Sequence, residues 1–116
     1  MNKDTLYLLD AHNFVKEGLV RFCPACAMVV GYLKYYPKVA EQIDIITVSP
    51  ERPRAKIVNL IGEDNQGSPV LVLAKTAKLP EGITAQQANG YQFINDERQI
   101  LTYLGLTYNG GLSLGY

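Results

Sequence analysis

Short apolar runs separated by polar or proline-containing stretches dominate the pattern of the chain. Four of these runs have the length and the β-branched or aromatic content of buried strands. They span residues 5–9 (TLYLL), 44–48 (DIITV), 69–73 (PVLVL) and 91–94 (YQFI). The stretch 10–22, which follows the first run, shows no clear period and is predicted to be a loop.

After residue 22 the apolar positions recur at helical spacing and predict a helix that begins near Pro24. The residues on this stripe are Cys26, Val29, Val30, Leu33 and Tyr36. Pro24 suits the first helical turn, because its missing N–H needs no partner there. Pro37 interrupts the pattern, so either the helix kinks at Pro37 or a second segment begins there.

Two more helices are predicted in the second half of the chain. Pro53 can begin the first of them, which Gly62 ends. Asn95 or Asp96 can cap the second, which Gly105 closes. The inward-facing residues are predicted to be Ile57, Leu60, Ile61, Ile100, Leu101 and Leu104. The stretch 75–90, with its proline and glycines, is predicted to be a long connection.

The resulting order, β-α-β-α-β-β-α, predicts an α/β fold with a four-stranded mixed sheet flanked by helices. The βαβ first half implies parallel strands with the first strand in the interior, and the last two strands form an antiparallel pair. We expect one domain over residues 1–116, with a core at about 5–105 and a Gly-rich tail at 106–116. Tyr108 and Tyr116 make this tail apolar enough to pack on the domain or on a second copy.

Charge and hydropathy narrow the choice of compartment and partners. Eleven basic and eleven acidic residues cancel, which argues against a nucleic acid or an anionic membrane as partner. No apolar run approaches the roughly 18 residues of a membrane span, and residues 1–12 hold too short an apolar core for a signal peptide. We therefore expect a cytoplasmic protein, either a monomer or a homodimer.

The chain's two cysteines lie three residues apart, in RFCPACAMVVG, at the start of the first predicted helix. In a reducing compartment such a pair is more often redox-active or metal-binding than a structural staple. Unpaired N–H groups and the helix dipole are expected to lower the pKa of Cys23, so that Cys23 attacks a disulfide. Cys26 lies one turn further on the apolar stripe, where it is protected and resolves the mixed disulfide.

The CPAC motif between the first strand and the first helix, together with Ser68-Pro69-Val70 before the third strand, resembles the thioredoxin-like superfamily. Its context is most similar to glutaredoxins, to the N-terminal domain of glutathione transferases and to small bacterial thioredoxin-like proteins. The resemblance implies a thioredoxin-like fold and a cis Ser68–Pro69 bond beside the cysteines. It also implies that the backbone of Ser68 pairs with a bound thiol peptide.

The segment FINDERQILTYL is similar to the part of glutathione transferases where an acidic residue and a serine precede the last helix of the domain. Asp96 matches the acidic position, and Glu97 stands where the serine would be. The resemblance thus implies glutathione as a co-substrate. In such relatives, basic residues in the region of Arg52, Arg54 and Lys56 meet a glutathione carboxylate, but the interpretation that we favour for them is a solvated loop and helix face.

Two functional interpretations remain open at this point. One is a glutaredoxin-like thiol–disulfide oxidoreductase whose partners are protein or small-molecule thiols and disulfides. The other is a binding module without redox catalysis that acts through the stretches 10–22 and 75–90. A zinc site needs four ligands, whereas the chain offers one CxxC and a single histidine, His12, so no metal is predicted. No cofactor other than glutathione is expected.

Overall fold

The computed structural model describes residues 2–115, over which strands and helices alternate around a mixed sheet. The strands are β1 (Thr5–Leu9), β2 (Val15–Lys16), β3 (Leu19–Val20), β4 (Asp44–Val48), β5 (Val70–Val72), β6 (Gln86–Ala88) and β7 (Tyr91–Ile94). The helices are α1 (Pro24–Tyr35), α2 (Pro37–Ala40), α3 (Ala55–Ile61) and α4 (Glu97–Tyr108). The chain is thus an α/β protein, as predicted. Tyr116 lies outside the described residues.

The main sheet has the strand order β4-β1-β5-β7-β6. β1 lies between β4, with which it runs parallel, and β5, with which it runs antiparallel. β7 is antiparallel to both β5 and β6. The interior position of β1 and the parallel first pair are therefore confirmed. Consequently, Ser68 lies at the same end of the sheet as the carboxyl ends of β1 and β7.

The sheet has five strands, not four, because the stretch 75–90 contains β6. The sequence of β6 is Gln-Gln-Ala, so it has no apolar run and is held by backbone pairing with β7 at the sheet border. The stretch 10–22 is likewise not a plain loop, because β2 and β3 form a separate hairpin in it. Glu17 and Gly18 at its turn both have positive φ, as a type I′ turn requires.

The helix bounds agree with the predictions except at the start of α3, which is Ala55 and not Pro53, and at the end of α4. Pro37 begins the separate short helix α2, and Gly62 ends α3 as expected. Gly105 does not close α4, which continues to Tyr108 and is capped by Asn109 in the left-handed conformation. A side chain at Gly105 would lie 2.7 Å from the carbonyl oxygen of Gly111. This glycine therefore allows the tail to pack on α4.

Alternate residues of β1 face two apolar cores. Leu6 and Leu8 pack with α1 and α4 on one face of the sheet, and Tyr7 packs with α3 on the other. Among residues 2–115, no helix has both the length and the apolar character needed to cross a bilayer.

A buried carboxylate fastens the start of β1 to the rest of the fold. Asp4 is 2% exposed and accepts hydrogen bonds from the Ala74 N–H at 2.7 Å and from the hydroxyls of Tyr103 and Tyr108, each at 2.6 Å. Burial, followed by the hydrogen bond to Asp4, raises the pKa of both tyrosines. This carboxylate therefore links the start of β1 and the segment just after β5 to the C-terminal half of α4.

Candidate functional site

Cys23 is the N-cap residue of α1. Its backbone is extended (φ −85°, ψ 114°), and its Sγ accepts a hydrogen bond from the Cys26 N–H at 3.1 Å. Pro24 follows at the first helical position, where no N–H is required. The sulfur therefore takes the place that a serine or aspartate oxygen usually fills at a helix start. The predicted placement of Cys23 is confirmed.

Cys26 lies one turn further along α1 and is 4% exposed, whereas Cys23 is half-buried. Both cysteines are free thiols in this structure. The burial of Cys26 agrees with its predicted position on the apolar stripe of the helix. The two sulfurs thus differ in access: a reagent from solvent meets Cys23 first.

Both thiols contact Ser68. Cys23 donates from Sγ to the Ser68 carbonyl oxygen at 3.6 Å, and Cys26 Sγ lies 3.4 Å from Ser68 Oγ. Ser68 Oγ itself donates to the carbonyl oxygen of Tyr7 on β1, at 3.0 Å. Because a hydroxyl has only one hydrogen, the Cys26 thiol must be the donor to Ser68 Oγ. Ser68 therefore accepts from both thiols of the reduced pair.

The Ser68–Pro69 peptide bond is cis, as the resemblance implied. Pro69 is buried directly before β5, and Ser68 remains partly exposed beside the cysteines. The Arg52–Pro53 bond is also cis, which the sequence did not indicate. The CPAC motif and the Ser-Pro pair, 45 residues apart between Cys23 and Ser68, therefore meet in one place.

The electrostatics of Cys23 differ from the prediction. Burial, followed by the neighbouring Cys26 thiol, raises the pKa of Cys23 to about 11, although the N–H groups of Cys26 and Ala25 act in the opposite direction. The expected lowering of this pKa was wrong, because the helix start is covered by the second thiol and by the loop before β5. Greater solvent access, and not a lowered pKa, is therefore the property of Cys23 that suits it to react first.

An open, largely apolar groove of about 540 Å³ lies beside the two cysteines. Its apolar lining includes Leu9, Phe22, Ala27 and Val30, and His12 and Lys34 are its ionisable members besides the cysteines. His12 is held in a turn by its backbone N–H, which donates to Asp10 Oδ1 at 2.8 Å. Within residues 2–115 no three His, Cys, Asp or Glu side chains are grouped as metal ligands.

Arg54 is a site-forming residue whose role the sequence did not reveal. Its guanidinium donates to the Pro50 carbonyl oxygen at 2.8 and 3.0 Å and to the Gln66 carbonyl oxygen at 2.6 Å. Burial, then Arg52, lower its pKa, whereas the two cysteines act to raise it. Arg54 therefore lies within electrostatic range of the cysteines and ties the loop after β4 to the loop that carries Ser68. A solvated face does not describe it.

Asp96 acts as the N-cap of α4, where its Oδ1 accepts from the Arg98 N–H at 2.9 Å. Asp96 follows β7 and so lies at the same end of the sheet as the cysteines. It is nevertheless two strands away from β1, because β5 lies between β1 and β7. The pocket that Asp96 lines, about 330 Å³, shares no residue with the cysteine groove. The structure thus brings Cys23, Cys26 and Ser68 together and leaves Asp96 apart.

A family model described as "Protein of unknown function (DUF3088)" matches residues 3–111. The chain therefore belongs to this family. No curated protein and no solved structure matches it.

Proposed function

We propose that the chain is a thiol–disulfide oxidoreductase with a thioredoxin-like fold, and that Cys23 and Cys26 carry the exchange. The observation behind this proposal is the shared contact with Ser68, because a solvent-accessible sulfur and a buried one meet there beside a cis-proline. A buried pair on an inactive scaffold has no need of a half-exposed sulfur at the mouth of a groove.

The topology supports this fold assignment. If α2, β6 and the β2–β3 hairpin are set aside, the elements follow the order β1-α1-β4-α3-β5-β7-α4, and the sheet order is β4-β1-β5-β7. This is a βαβ unit followed by an antiparallel pair, with the first strand inside and the CxxC at the next helix start. The hairpin, α2 and β6 are then additions to the core that the motif resemblance implies.

The exchange uses the two sulfurs in sequence. The Cys23 thiolate attacks one sulfur of a substrate disulfide, the substrate S–S bond breaks, and the departing thiolate takes up a proton. Cys26 then loses its proton and attacks Cys23 Sγ, which releases the second substrate sulfur as a thiolate that is protonated in turn. The substrate gains two electrons and two protons, and the protein is left with a Cys23–Cys26 disulfide.

The geometry favours the direction in which the protein reduces its substrate. Strongly oxidising dithiol pairs owe their potential to a reduced form that is stabilised as a thiolate. Burial and the second thiol raise the pKa of Cys23 to about 11, so this source of stabilisation is missing here. Return to the dithiol requires an external thiol or dithiol reductant, such as the cytoplasm supplies; a cytoplasmic location is part of the proposal.

A redox titration tests the function directly. The protein is equilibrated with mixtures of reduced and oxidised dithiothreitol, alkylated and weighed by mass spectrometry. We expect a two-electron transition, and reduction of a small chromogenic disulfide that Cys23→Ser abolishes. Cys26→Ser should accumulate a mixed disulfide on Cys23. Reduction that proceeds equally well in the double variant Cys23→Ser/Cys26→Ser would refute the proposal.

A further inference from the structure

Large apolar side chains are exposed around Cys23. Phe22, which precedes it, is 60% exposed, and Val30 on α1 is 50% exposed. The β2–β3 hairpin ends two residues before Phe22 and leaves Val15 and Val20, which are directly opposite each other, more than half exposed. Of these side chains, Phe22 and Val30 both line the groove beside the cysteines, and exposed apolar side chains that share one site are characteristic of interaction surfaces.

The depression next to the cysteines is elongated. The 540 Å³ groove and a second depression of about 410 Å³ share Ala27, Gly31 and Lys34, so they adjoin each other along α1. Together they extend from Cys23 to Tyr35, near the two ends of a 12-residue helix. At about 1.5 Å per helical residue this is about 18 Å, which matches about five residues of extended chain.

The charged groups that would recognise glutathione are already engaged. Glutathione carries two carboxylates and an ammonium group, which need charged partners. The Arg54 guanidinium is hydrogen-bonded to backbone carbonyls on both sides, and Asp96 caps α4 beside a different pocket. Among the described residues that line the two depressions, none is acidic, and the basic side chains are His12 and Lys34.

We propose that this groove binds an extended polypeptide segment whose disulfide cysteine is flanked by apolar residues, with an acidic residue placed toward Lys34. The inference rests on the proposed function and names its substrate class. The substrate cysteine lies at Cys23, its apolar neighbours cover Phe22 and Val30, and the chain runs along α1. The positive charge of Lys34 favours an acidic or neutral segment in the groove and disfavours a basic one.

Reduction rates on paired peptide disulfides test this substrate class. One symmetric peptide disulfide carries leucine and phenylalanine beside the cysteine and a glutamate near its end, and a second carries glycine and serine instead. We expect the reduced protein to act on the first about tenfold faster than on the second or on oxidised glutathione. Phe22→Ala should reduce this preference about fivefold, and Lys34→Gln about two- to threefold. Leu114→Ala, which alters an apolar residue that is 86% exposed in the tail, should leave it unchanged.

Equal rates on the two peptides, or a faster reaction with oxidised glutathione, would overturn the substrate assignment. A binding measurement separates this result from a failure of the redox function. The chain contains no tryptophan, so a serine analogue of the apolar peptide with one tryptophan reports binding by its own fluorescence. Binding that Phe22→Ala weakens supports the groove even in a protein without reductase activity. Binding that does not depend on the apolar residues of the peptide refutes the groove assignment, whether or not the protein has reductase activity.

Discussion

The hydroxyl of Ser68 should set part of the redox potential of the cysteine pair. In the dithiol it accepts a hydrogen bond from the Cys26 thiol, at 3.4 Å, while it donates to the Tyr7 carbonyl oxygen. A disulfide has no S–H to donate, so the first bond exists only in the reduced state. Ser68→Ala removes it, destabilises the dithiol and makes the potential more negative.

The size of the shift follows from the strength of that bond. A neutral hydrogen bond contributes about 0.5–1.5 kcal/mol, and a thiol is a weak donor, so about 0.5–1 kcal/mol is appropriate. For a two-electron couple about 30 mV corresponds to 1.4 kcal/mol, which gives a shift of about 10–20 mV. The loss of the donor to Tyr7 affects both redox states and cancels from the potential. The bond from Cys23 to the Ser68 carbonyl oxygen is retained.

The assay is a redox titration of wild type and variants against dithiothreitol mixtures in the same buffer. Ser68→Thr keeps the hydroxyl and should restore most of the wild-type potential. Ser113→Ala removes a hydroxyl from the exposed tail, far along the chain from the cysteines, and serves as the matched control. A potential for Ser68→Ala that is unchanged, or more positive, would show that Ser68 does not hold the Cys26 thiol.

Three further predictions concern the site and the fold. Limiting iodoacetamide should label Cys23 before Cys26 in the reduced protein, as peptide mass spectrometry would show. The rate at which Cys23 is labelled should rise about tenfold per pH unit between about pH 7 and 10, because only the thiolate reacts and the pKa of Cys23 is raised to about 11. Asp4→Asn should lower the free energy of unfolding in urea by about 2–4 kcal/mol, because an amide group would face the buried donors. Gly105→Ala should cost about 1–3 kcal/mol, since its new methyl group would meet a backbone oxygen. Gly31→Ala, on open helix surface, should instead gain about 0.5–1 kcal/mol.

Each of these has an opposite outcome that can be observed. Preferential labelling of Cys26 would reverse the assigned roles of the two thiols, and a rate that levels off near neutral pH would contradict the raised pKa. An Asp4→Asn variant as stable as wild type would mean that the carboxylate does not fasten the sheet to α4. Equal effects of the two glycine substitutions would show that the tail does not pack on α4.

Buried elements were predictable from sequence because burial leaves a pattern of side chains. β1 and β7 are apolar runs, and the structure gives them the predicted bounds. β4 also has its predicted bounds, but the prediction that it is buried was wrong: only Val48 is buried, because β4 is a border strand of the sheet. β6 and the hairpin were missed because their side chains are mostly exposed, so burial leaves no pattern in their sequences. Gly105 led to a wrong helix end. Glycine often ends a helix, but this glycine lies within α4 and leaves room for the backbone of the tail.

The site residues that belong to recognisable motifs could be predicted from the sequence, and the others could not. Cys23 and Cys26 were identified from their type and spacing, and the Ser68–Pro69 pair was identified from the resemblance to the thioredoxin-like superfamily. The structure brings both cysteines against Ser68. Arg54 has no such signal, since its carbonyl partners leave no mark on the side-chain sequence. Asp4 is similar, because its tyrosine partners lie 99 and 104 residues away.

The pKa of Cys23 shows why a local rule can be satisfied and still fail to predict the chemistry. The N–H groups at the start of α1 do lower this pKa, as the helix-start argument requires. Groups from elsewhere in the chain act against this effect: the loop before β5 covers the sulfur, and a second thiol lies beside it. Burial then outweighs the dipole, and on the order of one Cys23 in ten thousand is a thiolate at neutral pH. Such a pair reacts slowly with small reagents in solution, so a substrate gains most when binding in the groove holds its disulfide against Cys23.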